Sequence, residues 1–361
     1  MSYGLGIIGA GRVSQEHARA ATANGVRIAA VCDIDLEKAQ QFAAQHCLGA
    51  SPHVCDSVRE LTALPSVDAA LVAVPNAVHR DVAIACLNAG KHILLEKPMA
   101  TSLAACNETI AARDQNARHV HMGFVCRGAP KVHAARELIQ SGALGNVYHI
   151  KASMYRRRGI PGLGRWFTTR SISGGGVLID IGVHLIDLVM HLSGAKRAAT
   201  VSATCESRFG SPIKDYIFTE MWAGPPDPEG VFDVEDSACG FIRFDNGITL
   251  ELNVAWASNM PEGLMPEGIT LLGDRGGCFF DLWGDRFTLT TEQDGKVIDS
   301  PVAFDGADTW NRAWNWQHAR FARVVSEGDT PHAPAEAGRA VQEVIDAMYR
   351  SSETFREASI D

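Results

Sequence analysis

The sequence lacks the features that mark several protein classes. Its nine cysteines contain no C-x-x-C pair, which argues against a disulfide framework or a cysteine-ligated zinc site and favours a reducing compartment. No basic run is longer than Arg156–Arg158 and the formal net charge is −9, so the chain offers no electrostatic footprint for nucleic acid or an anionic membrane. No apolar run approaches the roughly 20 residues of a membrane-spanning helix.

An export signal is missing as well, because no charged region and hydrophobic region precede the first apolar segment. We therefore expect a cytoplasmic protein with no nucleic-acid partner and no membrane partner. What the chain does have is length. Its 361 residues, 46% hydrophobic and 21% charged, suffice for two globular domains, each with its own core.

The stretch Gly4–Asp33 predicts a strand, a glycine turn, a helix and a second strand. Gly9, Gly11 and Ser14 occupy the positions of a G-x-G-x-x-G motif: Gly9 permits a tight turn, and Gly11 lets the backbone approach a pyrophosphate at the start of the helix. Asp33 ends the second strand, where a carboxylate binds a ribose and repels a 2′-phosphate. The pattern predicts a dinucleotide site that favours NAD over NADP; a turn that serves only packing is the alternative.

Strands and helices then alternate as far as residue 123, which predicts a doubly wound parallel sheet of the Rossmann type in an N-terminal domain of residues 1–123. The rhythm then changes to a long strand, Asn146–Arg158, with Tyr148 and Ile150 on one apolar face, and to strands joined by tight turns. Residues 124–361 are therefore predicted to form a C-terminal α/β domain with an open, mainly antiparallel sheet. The fold class is α/β.

Glu96, Lys97 and Pro98 come directly after a predicted buried strand, at the edge where parallel sheets bind ligands. Charged side chains are costly to place there without a purpose. Lys97 would lie where a nicotinamide ring binds and could donate a hydrogen bond to a substrate oxygen. A lysine that only extends from the sheet edge into solvent is the alternative.

A nearly all-apolar helix is predicted from about Val177, with a single polar row at i, i+4, i+7 and i+11: Asp180, His184, Asp187 and His191. Asp180 can hold the His184 imidazole in one tautomer and stabilise its protonated form, as a general base requires. A buried network without a catalytic role and a divalent metal site are the alternatives. We favour the catalytic pair, expect no metal, and expect the last two residues of the row to be structural.

Together these motifs resemble the Gfo/Idh/MocA family of sugar and inositol dehydrogenases. The resemblance spans essentially the whole chain: the glycine turn with Asp33, the V-P-N-x-x-H segment at 74–79, the E-K-P motif and the G-G-G-x-x-x-D-x-G-x-H-x-x-D segment at 174–187. The combination of the last two motifs is specific to this family. Ser14 at the third glycine position is a mild departure from its pattern.

The resemblance implies an NAD(P)-dependent dehydrogenase that acts on CH–OH groups. His184 would take the proton of a sugar or cyclitol hydroxyl while the hydride passes between that carbon and the nicotinamide. Lys97 would hydrogen-bond the same oxygen and stabilise its developing negative charge, and Asp180 would orient the substrate and His184. The resemblance also implies a homodimer or homotetramer formed through the C-terminal sheet.

The cofactor-binding residues that the resemblance implies lie in the glycine turn, at the ribose acid, after the fourth strand and beside the nicotinamide: Gly9, Gly11, Arg12, Val13, Asp33, Val74, Pro75, Asn76, His79, Glu96 and Lys97. No arginine or serine directly follows Asp33, so the chain has no obvious group to hold a 2′-phosphate. The expected cofactor is therefore NAD, and NADP is the less expected one.

Substrate-binding residues are expected between the long strand and the catalytic helix, in addition to the three catalytic residues. Arg156 and Arg158 share one face if strand alternation persists, and arginine binds vicinal hydroxyls or a carboxylate. Trp166 offers a flat apolar face to a sugar ring. A solvated arginine cluster is the alternative. The expected substrate is a small carbohydrate or polyol, and a sugar acid stays open.

Two other functions stay open at this point. One is a redox-assisted glycosidase on the same fold, which holds NAD tightly and accumulates no net NADH. The other is a catalytically silent sensor of a sugar or NAD. A sensor has no need of a lysine, an aspartate and a histidine in the catalytic positions, and this chain has all three, so the dehydrogenase is the favoured hypothesis.

Overall fold

The computed structural model describes residues 3–47, 51–219, 221–261, 263–264, 267–306 and 309–360. The chain divides into two compact units. The first comprises Met1–Gly128 and Trp310–Arg339, and the second comprises Ala129–Thr309 and Ala340–Asp361. The predicted second domain comprises every residue after 123, whereas the first unit also contains residues 124–128 and 310–339.

The first unit is built on a parallel sheet that has six strands within the described residues, in the order β3-β2-β1-β4-β5-β6. This confirms the predicted doubly wound Rossmann sheet. Residues of β1 and β4 are buried throughout, as in parallel strands that helices cover on both faces. The strands are β1 (Gly4–Ile8), β2 (Arg27–Cys32), β3 (His53–Cys55), β4 (Ala69–Val72), β5 (His92–Leu95) and β6 (Val120–Met122).

The helices of this half of the chain alternate with the strands, as the sequence predicts. They are α1 (Arg12–Ala23), α2 (Leu36–His46), α3 (Val58–Ala63), α4 (His79–Asn88) and α5 (Leu103–Asn116). A 3₁₀ turn at Asn76–Val78 precedes α4, and another at Val125–Gly128 follows β6. The strand ends that carry Asp33, Val74 and Lys97 therefore come from neighbouring or near-neighbouring strands of one sheet, at its carboxyl edge.

The second unit holds a mixed sheet with nine strands in the described residues, in the order β14-β13-β12-β11-β7-β10-β9-β8-β15. Its pairs are antiparallel except for β7 with β10, which confirms the predicted open, mainly antiparallel sheet. The strands are β7 (Val147–Tyr155), β8 (Ala198–Glu206), β9 (Ser237–Phe244), β10 (Thr249–Ala255), β11 (Gly268–Gly273), β12 (Gly276–Asp281), β13 (Phe287–Gln293), β14 (Lys296–Pro301) and β15 (Ala358–Ser359).

Strand β7 is shorter than the predicted Asn146–Arg158, although Arg158 still forms an isolated bridge to Ala257. Its predicted apolar face is correct at Ile150, which is fully buried, but wrong at Tyr148, which is 56% exposed. Tyr148 is the second residue of the strand. Sequence alternation gives the side of a strand, but it does not tell how far the covering layer extends.

The remaining helices are α6 (Pro130–Gln140), α7 (Arg170–Ser173), α8 (Val183–Ser193), α9 (Thr309–Glu327) and α10 (Ala335–Thr354). A π-helical turn, Leu178–Gly182, leads directly into α8. Helix α9 contributes Phe321 and Val324 to the core that surrounds Leu5 and Ile7 of β1. That packing explains why residues 310–339 belong to the first unit although they follow the second in the sequence.

Among the described residues, Arg170–Ser193 alone is long and apolar enough to cross a membrane by length and composition. However, 78% of its most apolar window is buried inside the fold. The core helix of a globular protein passes the same test, so this helix is only weak evidence for a membrane span.

Candidate functional site

The glycine turn has the geometry that a pyrophosphate site requires. Gly9 has φ +96°, and a Cβ at this residue would lie 2.1 Å from the carbonyl oxygen of Ala73, so a larger residue would not fit. A Cβ at Gly11 would meet nothing within 4 Å, which leaves the turn open above the first amides of α1. The Ser14 hydroxyl donates to the Gly9 carbonyl oxygen at 2.5 Å. The serine therefore ties the helix to the turn at the third motif position.

Asp33 lies at the end of β2 and braces the same turn. Its Oδ2 accepts the Ala10 N–H at 2.8 Å, and its Oδ1 accepts the Asp35 N–H at 3.1 Å. The Lys38 ammonium lies 3.3 Å from Asp33 Oδ2. The Asp33 side chain is 10% exposed, and its position at the end of β2 is the one where a carboxylate can bind a ribose. Lys38 is a cation beside the ribose acid that the sequence analysis missed, because only the turn into α2 brings it back to Asp33.

The E-K-P segment follows β5 and is anchored through a buried carboxylate. Glu96 Oε2 accepts the backbone N–H of Lys97 at 3.2 Å, and Glu96 Oε1 lies 2.9 Å from His17 Nε2. His17 Nδ1 lies in turn 2.9 Å from His318 Nε2. Burial lowers the pKa of His318 well below its ordinary value, which favours the neutral form of its ring. Lys97 itself is half-buried.

His79 holds together the loops after β4 and β5. These loops lie at the carboxyl edge of the sheet, which we call the candidate cofactor edge. Its Nδ1 lies 2.7 Å from the Pro98 carbonyl oxygen and its Nε2 lies 2.8 Å from the Val74 carbonyl oxygen. The ring is buried, and this burial lowers the pKa of His79 although both carbonyls favour the protonated form. The structure thus shows His79 as a brace between the loops after β4 and β5. Asn76, the first residue of the 3₁₀ turn before α4, is buried as well.

The other predicted members of the cofactor set have different exposures. Arg12 and Pro75 are exposed, and Val13 and Val74 are half-buried. The set as a whole lies in the turn before α1, at the end of β2 and in the loops after β4 and β5. The structure therefore brings these residues to one edge of one sheet, and they fit a dinucleotide.

In the second unit, Asp180 and His184 are the half-buried polar residues of a helical segment that is otherwise buried from Val177 to Met190. Asp180 lies in the π-helical turn and His184 in α8. π-helical turns inside α-helices occur frequently at functional sites. The turn also means that the strict α-helical spacing used in the sequence analysis does not hold across Asp180.

Trp256 orients the Asp180 carboxylate. Its indole Nε1 donates to Asp180 Oδ2 at 3.0 Å, and the whole side chain is fully buried just after β10. A buried indole N–H usually finds a partner, and here the partner is Asp180, the residue predicted to orient His184 and the substrate. Trp256 could not be predicted from the sequence, because a single tryptophan after a strand carries no periodic signal.

The rest of the polar row lies deeper or pairs elsewhere. Asp187 is 1% exposed, and His191 Nε2 lies 3.2 Å from Arg136 Nη1 of α6. Both positions fit the structural role expected of them.

The predicted substrate segment carries arginines that are partly committed to neighbouring groups. Arg158 donates to the carbonyl oxygens of Arg157 and Ser258 at 2.6 and 2.9 Å and to Asn259 Oδ1 at 2.8 Å. Arg156 donates from Nη1 to the Gly159 carbonyl oxygen at 3.2 Å. Trp166 is half-buried and lies against Phe167, with ring centroids 3.8 Å apart. Arg158 is therefore more committed to neighbouring groups than Arg156, and a substrate-binding role for these two arginines and Trp166 stays a prediction.

One group of described residues has ligand atoms close enough to hold a metal ion: His53, Cys55 and Glu60, whose candidate atoms lie within 4.8 Å of one another. However, His53 Nε2 and Glu60 Oε1 already form a 2.7 Å hydrogen bond. Burial raises the pKa of the Cys55 thiol, which disfavours the thiolate that a metal needs. The expectation of a protein without a metal stays a prediction.

Family models match most of the chain. Residues 3–124 match the model described as an oxidoreductase family with an NAD-binding Rossmann fold. Residues 132–278 match the GFO/IDH/MocA C-terminal domain. The first match covers the candidate cofactor edge, and the second covers Asp180, His184 and Trp256.

Curated relatives match over nearly their full length. D-glucoside 3-dehydrogenase of Escherichia coli (strain K12) is 31% identical over 97% of this chain and 95% of its own. Inositol 2-dehydrogenase 2 of Saccharopolyspora erythraea is 26% identical over 100% of this chain and 96% of its own. Among solved structures, a levoglucosan dehydrogenase in complex with NADH and levoglucosan has a TM-score of 0.85 at 20% identity, with both chains covered completely, which shows the same fold.

Proposed function

The chain belongs to the Gfo/Idh/MocA oxidoreductase family, and from that premise we propose that it is an NAD-dependent dehydrogenase of a sugar, glycoside or cyclitol hydroxyl. The observation that carries the proposal is the pair of half-buried residues Asp180 and His184 on an otherwise buried helical segment, with the Asp180 carboxylate held by Trp256. Polar groups are costly in such a helix, and a general base needs an oriented partner.

The residues of the first unit supply the cofactor side of the proposal. The open turn at Gly11, the first amides of α1 and the Asp33 carboxylate would hold the pyrophosphate and the ribose. Bound nicotinamide supplies the hydride acceptor or donor of the reaction. Asp33 favours NAD, and Lys38 is the nearby group that would tolerate a 2′-phosphate.

The acid–base chemistry falls to three side chains in this proposal. His184 removes the hydroxyl proton as the carbon loses its hydride, and returns it in the reverse reaction. Lys97 donates a hydrogen bond to the same oxygen and stabilises the negative charge that develops on it. Asp180, with one oxygen held by Trp256, orients His184 and a substrate hydroxyl. Glu96 fixes the Lys97 peptide and so positions its side chain.

The substrate class follows from the relatives' names, which are those of a D-glucoside 3-dehydrogenase and an inositol 2-dehydrogenase. Both names describe oxidation of a ring hydroxyl, so a secondary alcohol on a six-membered ring is the proposed reacting group. Arg156 and Trp166 are the proposed contacts to the ring and its neighbouring hydroxyls. An assembly through the C-terminal sheet stays a prediction; light scattering of the purified protein tests it.

The experiment that tests the function is the appearance of NADH absorbance with purified protein. NAD or NADP is supplied with a panel of glucosides, inositols, free aldoses and aldonic acids. Turnover with NAD on glucosides or inositols is the expected result. Glycoside cleavage without net NADH would instead indicate the redox-assisted glycosidase, and NAD binding without turnover in either direction would contradict the dehydrogenase.

A further inference from the structure

We propose that Glu235 is a positioning residue for Asp180 and His184, because it binds the peptide N–H groups at the start of their helix, and that Tyr349 and Arg170 hold Glu235 in place. The inference rests on the proposed function, since it concerns the geometry of that reaction's acid–base residues. All five residues belong to the second unit.

The helix that carries Asp180 begins without a cap of its own. The residue that precedes the π-helical turn, Val177, provides no side-chain acceptor, and the three residues before it are glycines. The first amides of a helix have no carbonyl partner within the helix, so they need an acceptor from elsewhere. The sequence offers none locally, because the glycines before the helix have no side chains.

Glu235 supplies that acceptor from the segment before β9. Its Oε1 accepts the N–H of Gly176 at 2.8 Å and the N–H of Leu178 at 3.0 Å. Its backbone carbonyl oxygen accepts the N–H of the intervening Val177 at 3.1 Å. One residue therefore binds three successive amides of the helix start. The Glu235 side chain is 3% exposed, so water competes little for these bonds, and hydrogen bonds to a carboxylate are stronger than those to a neutral oxygen.

Two side chains from other elements fix the carboxylate. The Tyr349 hydroxyl of α10 donates to Glu235 Oε1 at 2.9 Å. The Arg170 guanidinium of α7 lies 3.7 Å from Glu235 Oε2 and 5.4 Å from the centroid of the Tyr349 ring. Burial raises the pKa of Glu235, while the amide hydrogen bonds, Tyr349 and Arg170 act in the opposite direction. These contacts thus offset part of the cost of burying a carboxyl group at this depth.

The same contacts account for two glycines of the G-G-G motif. A Cβ at Gly175 would lie 1.9 Å from the Tyr349 hydroxyl oxygen, and a Cβ at Gly176 would lie 1.9 Å from the Glu235 carbonyl oxygen. Neither position has room for a side chain while the network is intact. The absence of side chains at these two positions therefore lets the start of the helix lie directly against Glu235 and Tyr349.

Asp180 follows the last of these amides by two residues, so a shift of the helix start moves its carboxylate relative to Trp256. A displacement of about 1 Å at a reacting group can cost roughly 100-fold in rate. In this proposal the network acts on catalysis through the positions of Asp180 and His184.

The first arm of the test is amide hydrogen exchange, which needs no turnover. Tyr349→Phe and Glu235→Ala should speed exchange in peptides that contain residues 176–178, by about tenfold or more. Glu235→Gln keeps an acceptor oxygen and should restore most of the protection. Asp236→Ala is the matched control: Asp236 Oδ2 accepts the amides of Arg208, Phe209 and Gly210, so this variant should speed exchange there and leave residues 176–178 unchanged.

The second arm is steady-state kinetics on the substrate found with the wild-type protein. Tyr349→Phe should lower kcat about tenfold and Glu235→Ala about 100-fold, with NADH affinity and substrate KM within twofold of wild type. Glu235→Gln should recover most of the kcat. Glu353→Gln, which alters an exposed carboxylate that lines the same cavity as Glu235, should leave kcat unchanged.

The outcomes separate the inference from the proposed function. Unchanged exchange at 176–178 in Tyr349→Phe and Glu235→Ala would overturn the inference, and so would faster exchange with wild-type kcat. A wild-type protein without turnover would overturn the proposed function, and the catalytic meaning of the network with it. Faster exchange, lower kcat and constant NADH affinity together would support the inference. Tyr349→Phe removes one oxygen, so it serves even if Glu235→Ala fails to fold.

Discussion

The indole of Trp256 donates its N–H to Asp180 Oδ2 at 3.0 Å, from a side chain that is fully buried. This contact joins the end of β10 to the π-helical turn before α8. The hydrogen bond fixes the position of one carboxylate oxygen, Asp180 Oδ2. Asp180 itself is half-buried. An oriented carboxylate on this helix is what the proposed acid–base chemistry needs.

Trp256→Phe tests this relationship. The variant removes the donor and part of the ring, so we expect kcat to fall about tenfold and the free energy of unfolding to fall by about 1–3 kcal/mol. Kinetics and denaturant unfolding measure the two effects. Trp314→Phe is the control for size, because its buried Nε1 has no hydrogen-bond partner among the described residues; it should lower stability without the same loss of kcat. Unchanged turnover in Trp256→Phe would contradict the role of the contact.

His184→Asn tests the general base. Loss of a positioned base costs about 10²–10⁴-fold in rate, and we expect a loss in that range in kcat with little change in NADH affinity. The matched control is His191→Asn on the same helix, because His191 pairs with Arg136. That variant should keep most of its turnover. Equal losses in the two variants would indicate that the histidines support the helix rather than the chemistry.

Lys97→Met tests the lysine of the E-K-P motif. Removing a donor that stabilises a developing oxyanion costs roughly 10²–10³-fold in kcat, and we expect that loss with NADH binding nearly intact. Fluorescence titration with NADH gives the affinity, and the absorbance assay gives the rate. Lys151→Met, which alters an exposed lysine of β7, is the control and should behave as wild type. A fully active Lys97→Met enzyme would remove Lys97 from the mechanism.

Asp33→Asn tests cofactor preference. The amide oxygen can still accept the Ala10 N–H, so the turn should hold its geometry while the charge that repels a 2′-phosphate is lost. We expect the ratio of kcat/KM for NADP to that for NAD to rise about tenfold or more, equivalent to about 1.4 kcal/mol. Lys38→Ala in the same background should reverse much of that gain, since Lys38 lies 3.3 Å from the carboxylate. An unaltered ratio in both variants would mean that other residues select the cofactor.

His121 gives the protein a predicted pH dependence of stability. Burial lowers the pKa of His121 from 6.5 to about 3. The unfolded chain therefore binds this proton below about pH 6.5 and the folded chain does not, so the free energy of unfolding falls as the pH falls, by up to about 1.4 kcal/mol per pH unit from this group. Denaturant unfolding between pH 7 and pH 5 should show a smaller slope in His121→Phe. An unchanged slope in His121→Phe would contradict this role of His121.

The strongest sequence signals concerned elements whose physics is local. The apolar runs of β1 and β4, the alternation with helices and the glycines of the first turn predict a Rossmann sheet, and the structure has it. The hairpin turns predict the antiparallel sheet of the second unit. The positions of Gly9 and Asp33 could also be predicted, because backbone geometry fixes where a tight turn and a strand-terminal acid occur in the sequence.

Contacts between segments that are far apart in the chain could not be predicted from the sequence. Glu235 lies 57 residues from Leu178 and 114 residues from Tyr349, and nothing in the periodicity around it indicates that it binds the start of the catalytic helix. His17 and His318 are 301 residues apart. Their pairing depends on the packing of α9 into the core of the first unit. The predicted domain boundary at residue 123 assigned α9 to the other domain, so this contact was not expected.

The sequence by itself determined the fold class, the family and the candidate residues Lys97, Asp180 and His184, because local periodicity and motif spacing encode strands, turns and helix faces. The tertiary structure decided which side chains hold those residues: Trp256 for Asp180, Glu96 for the Lys97 peptide and Glu235 for the helix start. The reason is physical. Hydrogen-bond partners of buried groups are chosen by packing between segments that are far apart in the chain, and that packing leaves no periodic trace in the sequence.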